Sequence, residues 1–324
     1  MVSAVAEQHG AIAAQPEDSA LALLIPNVAS GSQVHRIAED LARDLSVPFT
    51  SDSMSLLLGP VIGIAIGPLH GTDAATLIRR AQTAAWHAGK TGVDVLRWRA
   101  DLGAAQHARV SLLGEFDRAL GEEQIFLEFQ PKFDVGTREL VGAEALVRWM
   151  HPTKGRLAPQ AFIEGVEASA LCRPFTLWAI RDALTRWAPV AERHPQTKVA
   201  VNVPVPLLSD LDFLEQLADE LVRIGADPSW LQIEITERGL TGNVADLQAG
   251  LEQISMLGIS VALDDFGTGQ SSLAFLRTLP LNEVKIDRAF ITNLQVDVAN
   301  QAIVRACVAI AGTTSMRVLS LIHI

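Results

Sequence analysis

KVAVNV at 198–203, LQIEIT at 231–236, SVALDD at 260–265 and EVKID at 283–287 are four short, mostly aliphatic runs, each with polar side chains towards its end. Runs of this length and composition read as buried strands. Asn202, Glu234 and Asp264 close the first three and lie 32 and 30 residues apart, with Lys285 21 residues further on. A (β/α)8 barrel of roughly 250 residues repeats about every 31, so the spacing is that of one barrel step. Glu144 precedes Asn202 by 58 residues, close to two steps. Side chains at the C-terminal ends of successive barrel strands converge on one mouth, and the barrel reading therefore gathers residues that are far apart in sequence.

Outward from this core the alternation continues. Further strands are expected at 125–133, 140–149 and 317–322, with helices at 159–169, 174–192, 208–224, 244–257, 271–279 and 298–311. Such alternation over some 200 residues defines a parallel α/β fold. The first hundred residues form a smaller α/β segment, with strands expected at 19–26 and 56–67, a helix at 34–45, and a second from 73 to about 88 with Thr72 as its cap. Residues 98–120 read as a linker helix between a first domain at 1–97 and the barrel at 121–324.

The chain has 324 residues, 49% hydrophobic and 19% charged, which suits two globular domains and excludes a mainly disordered protein. Its formal charge of −11, without extended Lys/Arg runs, argues against a nucleic-acid partner. Cys172 and Cys307 are far apart and form no CxxC pair, so a reducing, cytoplasmic location is expected. The longest apolar run, 56–67, contains Pro60 and is too short to span a bilayer; no signal peptide is evident, and a membrane anchor upstream of this stretch stays open.

Glu144, Asn202, Glu234, Asp264 and Asp265 are hard oxygen ligands with no histidine among them. Such a set suits Mg²⁺ or Mn²⁺, and four clustered carboxylates make two divalent ions the simplest occupant. Consecutive strand residues face opposite sides, so Asp264 and Asp265 can share a site only if the chain turns there, and Gly267-Thr268-Gly269 permits the turn. Two-metal sites of this composition hydrolyse phosphate esters. Lys285 is then placed to orient the water or balance phosphate charge. AGKT at 88–91 fails as a P-loop because Ala84 stands at the first glycine position. Trp149 and Phe290 read as core, and Asp287 as a strand-end or helix-capping residue.

Gln130-Pro131, EALVRW at 144–149, Asn202, EITE at 234–237, DDFGTGQSS at 264–272 and KIDRAFI at 285–291 occur in an order that resembles the EAL-domain cyclic-di-GMP phosphodiesterases. The resemblance covers 111–318 and implies a TIM-like barrel whose first strand is antiparallel to the rest and which here is C-terminally truncated, lacking its last strand and helices, so that it is expected to stay unclosed. It also implies hydrolysis of cyclic di-GMP to linear pGpG with Mg²⁺ or Mn²⁺, and a homodimer formed through the barrel. By the same resemblance Glu144, Asn202, Glu234, Asp264 and Asp265 are metal ligands and Lys285 contacts the water. Glu237 braces the loop from Asp265 to Ser272, and Gln130 and Arg148 touch substrate. For Glu237 the alternative is an ordinary surface carboxylate.

The N-terminal segment resembles the back half of a GGDEF, or diguanylate cyclase, domain through 62–65 and 73–92. Its signature survives only as Glu17-Asp18-Ser19-Ala20-Leu21, so a regulatory or dimerising remnant is expected rather than a cyclase. Pro204 and Gln270 replace a serine and a tyrosine usual in EAL domains. Beyond Val318 the family carries an A-E-G-V-E strand whose first glutamate is the general base, whereas here Leu321 stands at that position. LSLIHI at 319–324 resembles a translated sequencing adapter, so truncation of a longer gene and weak or absent turnover are expected for this chain. A catalytically inactive cyclic-di-GMP sensor or a protein-interaction module is the alternative.

Overall fold

The computed structural model describes residues 10–17, 20–47, 49–51, 54–56, 59–240, 244–267, 278–313 and 316–320. The chain divides into two compact units, Met1–Leu112 and Leu113–Ile324, and the helix Ala100–Gly121 contains the division.

In the first unit Ile12–Glu17 pairs antiparallel with Ala20–Leu24, a hairpin whose first strand the polar, proline-containing sequence IAAQPE conceals. The expected strand at 56–67 is broken. Met54–Leu56 pairs with Phe49–Ser51, Gly59–Val61 is not in a strand, and Ile62–Ile64 pairs parallel with Val95–Arg97. Proline lacks the N–H a central ladder needs, so Pro60 separates the two pieces. Asp73, not Thr72, caps the helix Ala74–Thr91 by accepting the Thr76 N–H at 2.8 Å. That helix lies so close to the strand at Gly63 that a Cβ there would sit 1.9 Å from the Ala81 carbonyl oxygen, which restricts the position to glycine. Asp18 and Ser19 of the GGDEF-like signature lie outside the described residues.

Among the described residues the second unit contains eight strands: β1 (Ile125–Phe133), β2 (Leu140–His151), β3 (Gly155–Leu157), β4 (Lys198–Asn202), β5 (Leu231–Thr236), β6 (Ser260–Phe266), β7 (Glu283–Ile286) and β8 (Arg317–Ser320). The sheet order is β8-β7-β6-β5-β4-β2-β1, with β3 paired to β2. The β1–β2 pair is antiparallel, whereas β2 through β8 pair in parallel along this path. A flat sheet would set β1 and β7 five steps apart, about 24 Å. Lys132 Nζ on β1 nevertheless lies 3.3 Å from Glu283 Oε1 on β7, so the sheet curls strongly about its interior. Among the described residues β1 and β8 are not paired with each other, so the sheet forms a curled half-barrel, open as expected.

Strand alternation sorts the two faces. Leu231, Ile233 and Ile235 of β5 are fully buried in the apolar core, while Gln232 and Glu234 contact β1 and β7 across the interior. The apolar layer is completed by helices such as α1 (Cys172–Ala191) and α2 (Leu211–Ile224), the latter burying Phe213, Leu214, Leu217 and Leu221 at helical spacing. Asp210 caps α2 and interrupts the expected single helix at 208–224, leaving Val205–Leu208 as a separate turn. The expected helix at 159–169 likewise splits into a 3-10 turn and Ile163–Glu167. Residues 271–277 of the expected helix at 271–279, and 321–322 of the last expected strand, lie outside the described residues.

Candidate metal centre

Register alone begins to assemble the site. Gln130 lies opposite Glu144 in the β1–β2 pair, Ala200 pairs with Glu144, Asn202 with Glu234, and Thr236 with Asp264. Side chains two residues apart share a face, so Glu144, Asn202, Glu234, Asp264 and Lys285 project into the interior from five adjacent strands.

At their centre is the Lys285 ammonium, fully buried, which donates to Glu144 Oε2 at 2.8 Å, Glu234 Oε2 at 2.8 Å and Asp264 Oδ2 at 2.9 Å. Asn202 Nδ2 donates to the other oxygen of Glu144 at 3.1 Å. One oxygen from each of Glu144, Glu234 and Asp264 lies within 4.8 Å of the others. Counting Glu283, four carboxylates are set against the two ammoniums of Lys285 and Lys132, which leaves excess negative charge in a buried place that is costly unless cations compensate. Burial and then the Glu234 charge push Glu144 above the ordinary carboxylate range against the pull of Lys285. Burial acts on Glu234 in the same sense, but Lys285 and Lys132 overcome it and hold Glu234 low. Burial alone would lower the Lys285 pKa; the Glu234, Glu144 and Asp264 charges outweigh it and raise it.

Asp265 is arranged differently from the expectation. The redirection of the chain occurs at Asp265 itself, in the left-handed region with φ 55°, where the β6–β7 register shifts between Leu263 and Phe266. Aspartate tolerates this conformation better than most residues. Its N–H donates to Asp264 Oδ1 at 2.8 Å, and its carboxyl group is pushed up to about 6 by burial, then by the charges of Asp264 and Asp287. It is not one of the three carboxylates whose oxygens lie within 4.8 Å of one another, but the Asp264 and Lys285 charges both act on it. Thr268 and Gly269 lie outside the described residues, as do Gln270, Ser272 and Leu321.

Glu237 opens a 3-10 turn directly after β5 and is 3% exposed, so the surface-carboxylate alternative does not hold. Its Oε2 accepts the Gly267 N–H at 2.7 Å, tying the start of the loop after β6 to the end of β5. Arg148 is drawn to Glu128, its Nε donating to Glu128 Oε2 at 2.8 Å. Asp287 caps the turn Arg288–Ile291 by accepting the Ala289 N–H, and Trp149 is fully buried, both as expected. Phe290 packs against the core. Lys132, absent from the expected set, donates to Glu234 Oε1 at 2.8 Å and Gln232 Oε1 at 2.9 Å. Its one sequence signal is that it lies two residues beyond Gln130 on the same strand face.

A curled sheet with an antiparallel first strand and an all-oxygen cluster at its parallel strand ends defines the class. The sequence matches the EAL domain over residues 114–320, and the chain belongs to the EAL-domain family. It is 31% identical over 288 residues to the bifunctional diguanylate cyclase/cyclic di-GMP phosphodiesterase MucR of Pseudomonas aeruginosa, covering 88% of this chain and 42% of that protein. It is 30% identical over 314 residues to the cyclic di-GMP phosphodiesterase PdeR of Escherichia coli, covering 97% and 47%. Among solved structures, the PaMucR phosphodiesterase in its c-di-GMP complex superposes with a TM-score of 0.61 at 33% identity, covering 65% of this chain and 85% of that one. The chain spans less than half the length of these two curated relatives.

Proposed function

We propose that the second unit binds cyclic di-GMP at the C-terminal ends of its parallel strands and hydrolyses it to linear pGpG with Mg²⁺ or Mn²⁺. The observation that carries this reading is the convergence of Glu144, Glu234 and Asp264 on one buried point now held by the Lys285 ammonium. The set consists of hard oxygen donors, is concentrated in charge and is already arranged around a cation, which fits a divalent ion. Glu144, Asn202, Glu234, Asp264 and Asp265 are the residues assigned to hold two ions. When bound, such ions supply an activated water and stabilise the phosphoryl charge of an in-line displacement.

The chain's own groups have distinct tasks. Lys285 orients the attacking water and balances phosphate charge. Glu237, through the Gly267 N–H, fixes where the loop after β6 begins. Gln130 and Arg148, on the interior faces of β1 and β2, are assigned to substrate. Leu321 cannot accept a proton, and loss of a general base reduces rates by about 10² to 10⁴-fold. Slow turnover is accordingly proposed for this chain, and binding without turnover is the second reading, favoured by that same leucine.

The first unit is proposed to be a GGDEF-like regulatory or dimerising remnant, supported by its parallel pair Ile62–Ile64 and Val95–Arg97 flanking the helix Ala74–Thr91. A homodimer through the second unit and a cytoplasmic location belong to the same reading. Among the described residues no helix is long and apolar enough to cross a membrane. The test is incubation of the purified chain with cyclic di-GMP and Mg²⁺ or Mn²⁺, following pGpG by chromatography, alongside calorimetric titration in Ca²⁺. Metal-dependent pGpG formation supports the enzyme, binding in both ions without product supports the sensor, and absence of binding in either rejects both.

A further inference from the structure

Lys132 lies near the end of β1, opposite Gly142. Because Gly142 contributes no side chain to that layer, the lysine can extend across the interior. The glycine is itself required, since a Cβ there would lie 2.3 Å from the Lys198 carbonyl oxygen. The Lys132 side chain is 8% exposed, and its ammonium reaches Glu234 Oε1 at 2.8 Å, Gln232 Oε1 at 2.9 Å and Glu283 Oε1 at 3.3 Å. An ammonium has three donors, and here all three are used on acceptors from β5 and β7.

The consequence falls on Glu234, whose side chain is fully buried. Its two oxygens are divided between two lysines, Oε1 held by Lys132 from β1 and Oε2 by Lys285 from β7. Lys285 also contacts Glu144 and Asp264 and belongs to the cluster itself; Lys132 contacts neither. One carboxylate oxygen is therefore anchored away from the cluster, and the other is presented to it in a fixed orientation.

We propose that Lys132 is a positioning residue of the metal centre: it holds Glu234 Oε1 so that Oε2 faces the ion site. This rests on the metal-centre reading above and assigns a specific task to the antiparallel first strand. That strand delivers, from the far edge of the curled sheet, a cation that fixes a ligand on β5. Partners of this kind orient a ligand without touching the metal, and their loss typically weakens metal affinity about 10- to 100-fold.

Two physical readings of Lys132 differ in sign. If the lysine only neutralised charge, Lys132→Met would leave the centre more negative and bind a divalent cation more tightly. If it positions Glu234, the same change frees the carboxylate to rotate and binding weakens despite the added negative charge. The experiment is titration of Mn²⁺ into the full chain, with free Mn²⁺ counted by electron paramagnetic resonance and folding checked by circular dichroism. For Lys132→Met the expected result is a Kd raised about 10- to 100-fold, with Lys132→Arg, which keeps the charge but replaces the compact ammonium that serves three acceptors at once with a bulkier planar guanidinium, in between. An unchanged or lowered Kd in Lys132→Met overturns the positioning role while leaving the metal centre standing. Failure of the unaltered chain to bind Mn²⁺ overturns both. Should the methionine variant not fold, Lys132→Arg decides alone: a raised Kd supports the proposal and an unchanged one overturns it.

Discussion

Of the polar and charged side chains buried among the described residues, His70 alone belongs to the first unit; Lys132, Glu144, Glu234, Glu237, Asp264, Glu283 and Lys285 all belong to the second. In the first unit carboxylates such as Asp40 and Asp101 are paired at the surface, where such pairs contribute little. In the second, ions are withdrawn from water and set against one another at 2.8–2.9 Å. Burying charge is rarely the cheapest way to stabilise a fold, since apolar side chains of similar volume often serve as well or better. The contrast indicates that the interior of the second unit is shaped by chemistry, and the described part of the first by packing and local capping.

The largest expected effect that would break this contrast is at Lys285. Lys285→Met removes the ammonium shared by Glu144, Glu234 and Asp264, and breaking a buried ion pair in this way destabilises by about 3–5 kcal/mol. Urea unfolding in the absence of divalent metal should show that loss, and added Mn²⁺ should recover part of it. An unchanged midpoint would mean the cluster is already relieved by protonation or water.

A smaller effect is expected at Gly267, which has φ +100° and whose Cβ, if present, would lie 2.7 Å from the Phe290 ring. Gly267→Ala should destabilise by about 1–3 kcal/mol through backbone strain and overpacking, read by the same unfolding experiment. It should also weaken the tether to Glu237, making the Gly267 amide exchange faster with deuterium.

The smallest effect belongs to the first unit. His70 is buried with its Nδ1 accepting the Ile66 N–H at 3.0 Å, and burial, then Arg97 and Arg80, lower its pKa. The neutral ring is thus favoured in the fold while the unfolded chain takes up a proton near pH 6.5. Stability from this residue is present above that pH and declines as pH falls towards the depressed folded value. Protection of the amides across 62–98, taken relative to their intrinsic exchange rates at each pH, should fall on acidification through this window, and His70→Gln should remove that dependence.

Most of the second unit is legible in the sequence because its short aliphatic strands alternate with helices and its functional side chains recur at barrel spacing. Glu144, Asn202, Glu234, Asp264 and Lys285 could be grouped before any coordinates, since parallel register brings strand ends to one edge. Lys132 could not. Its partner Glu234 is 102 residues away, and only the curl of the sheet brings them together. The turn at Asp265 is legible only in part for a local reason: the left-handed residue is the aspartate itself, two residues before the stretch whose glycines suggested the turn. In the first unit the strands are three to six residues long and lack alternation, so Val95–Arg97 and Ile12–Glu17 carried no signal strong enough to read.

The most direct measurement is calorimetric titration of cyclic di-GMP into the unaltered chain and into Asp264→Asn, each with and without Ca²⁺. Binding by the unaltered chain that requires the divalent ion, and loss of that requirement or of binding altogether in Asp264→Asn, is the predicted result. Equal binding by both chains, indifferent to the ion, would contradict a metal centre at Glu144, Glu234 and Asp264.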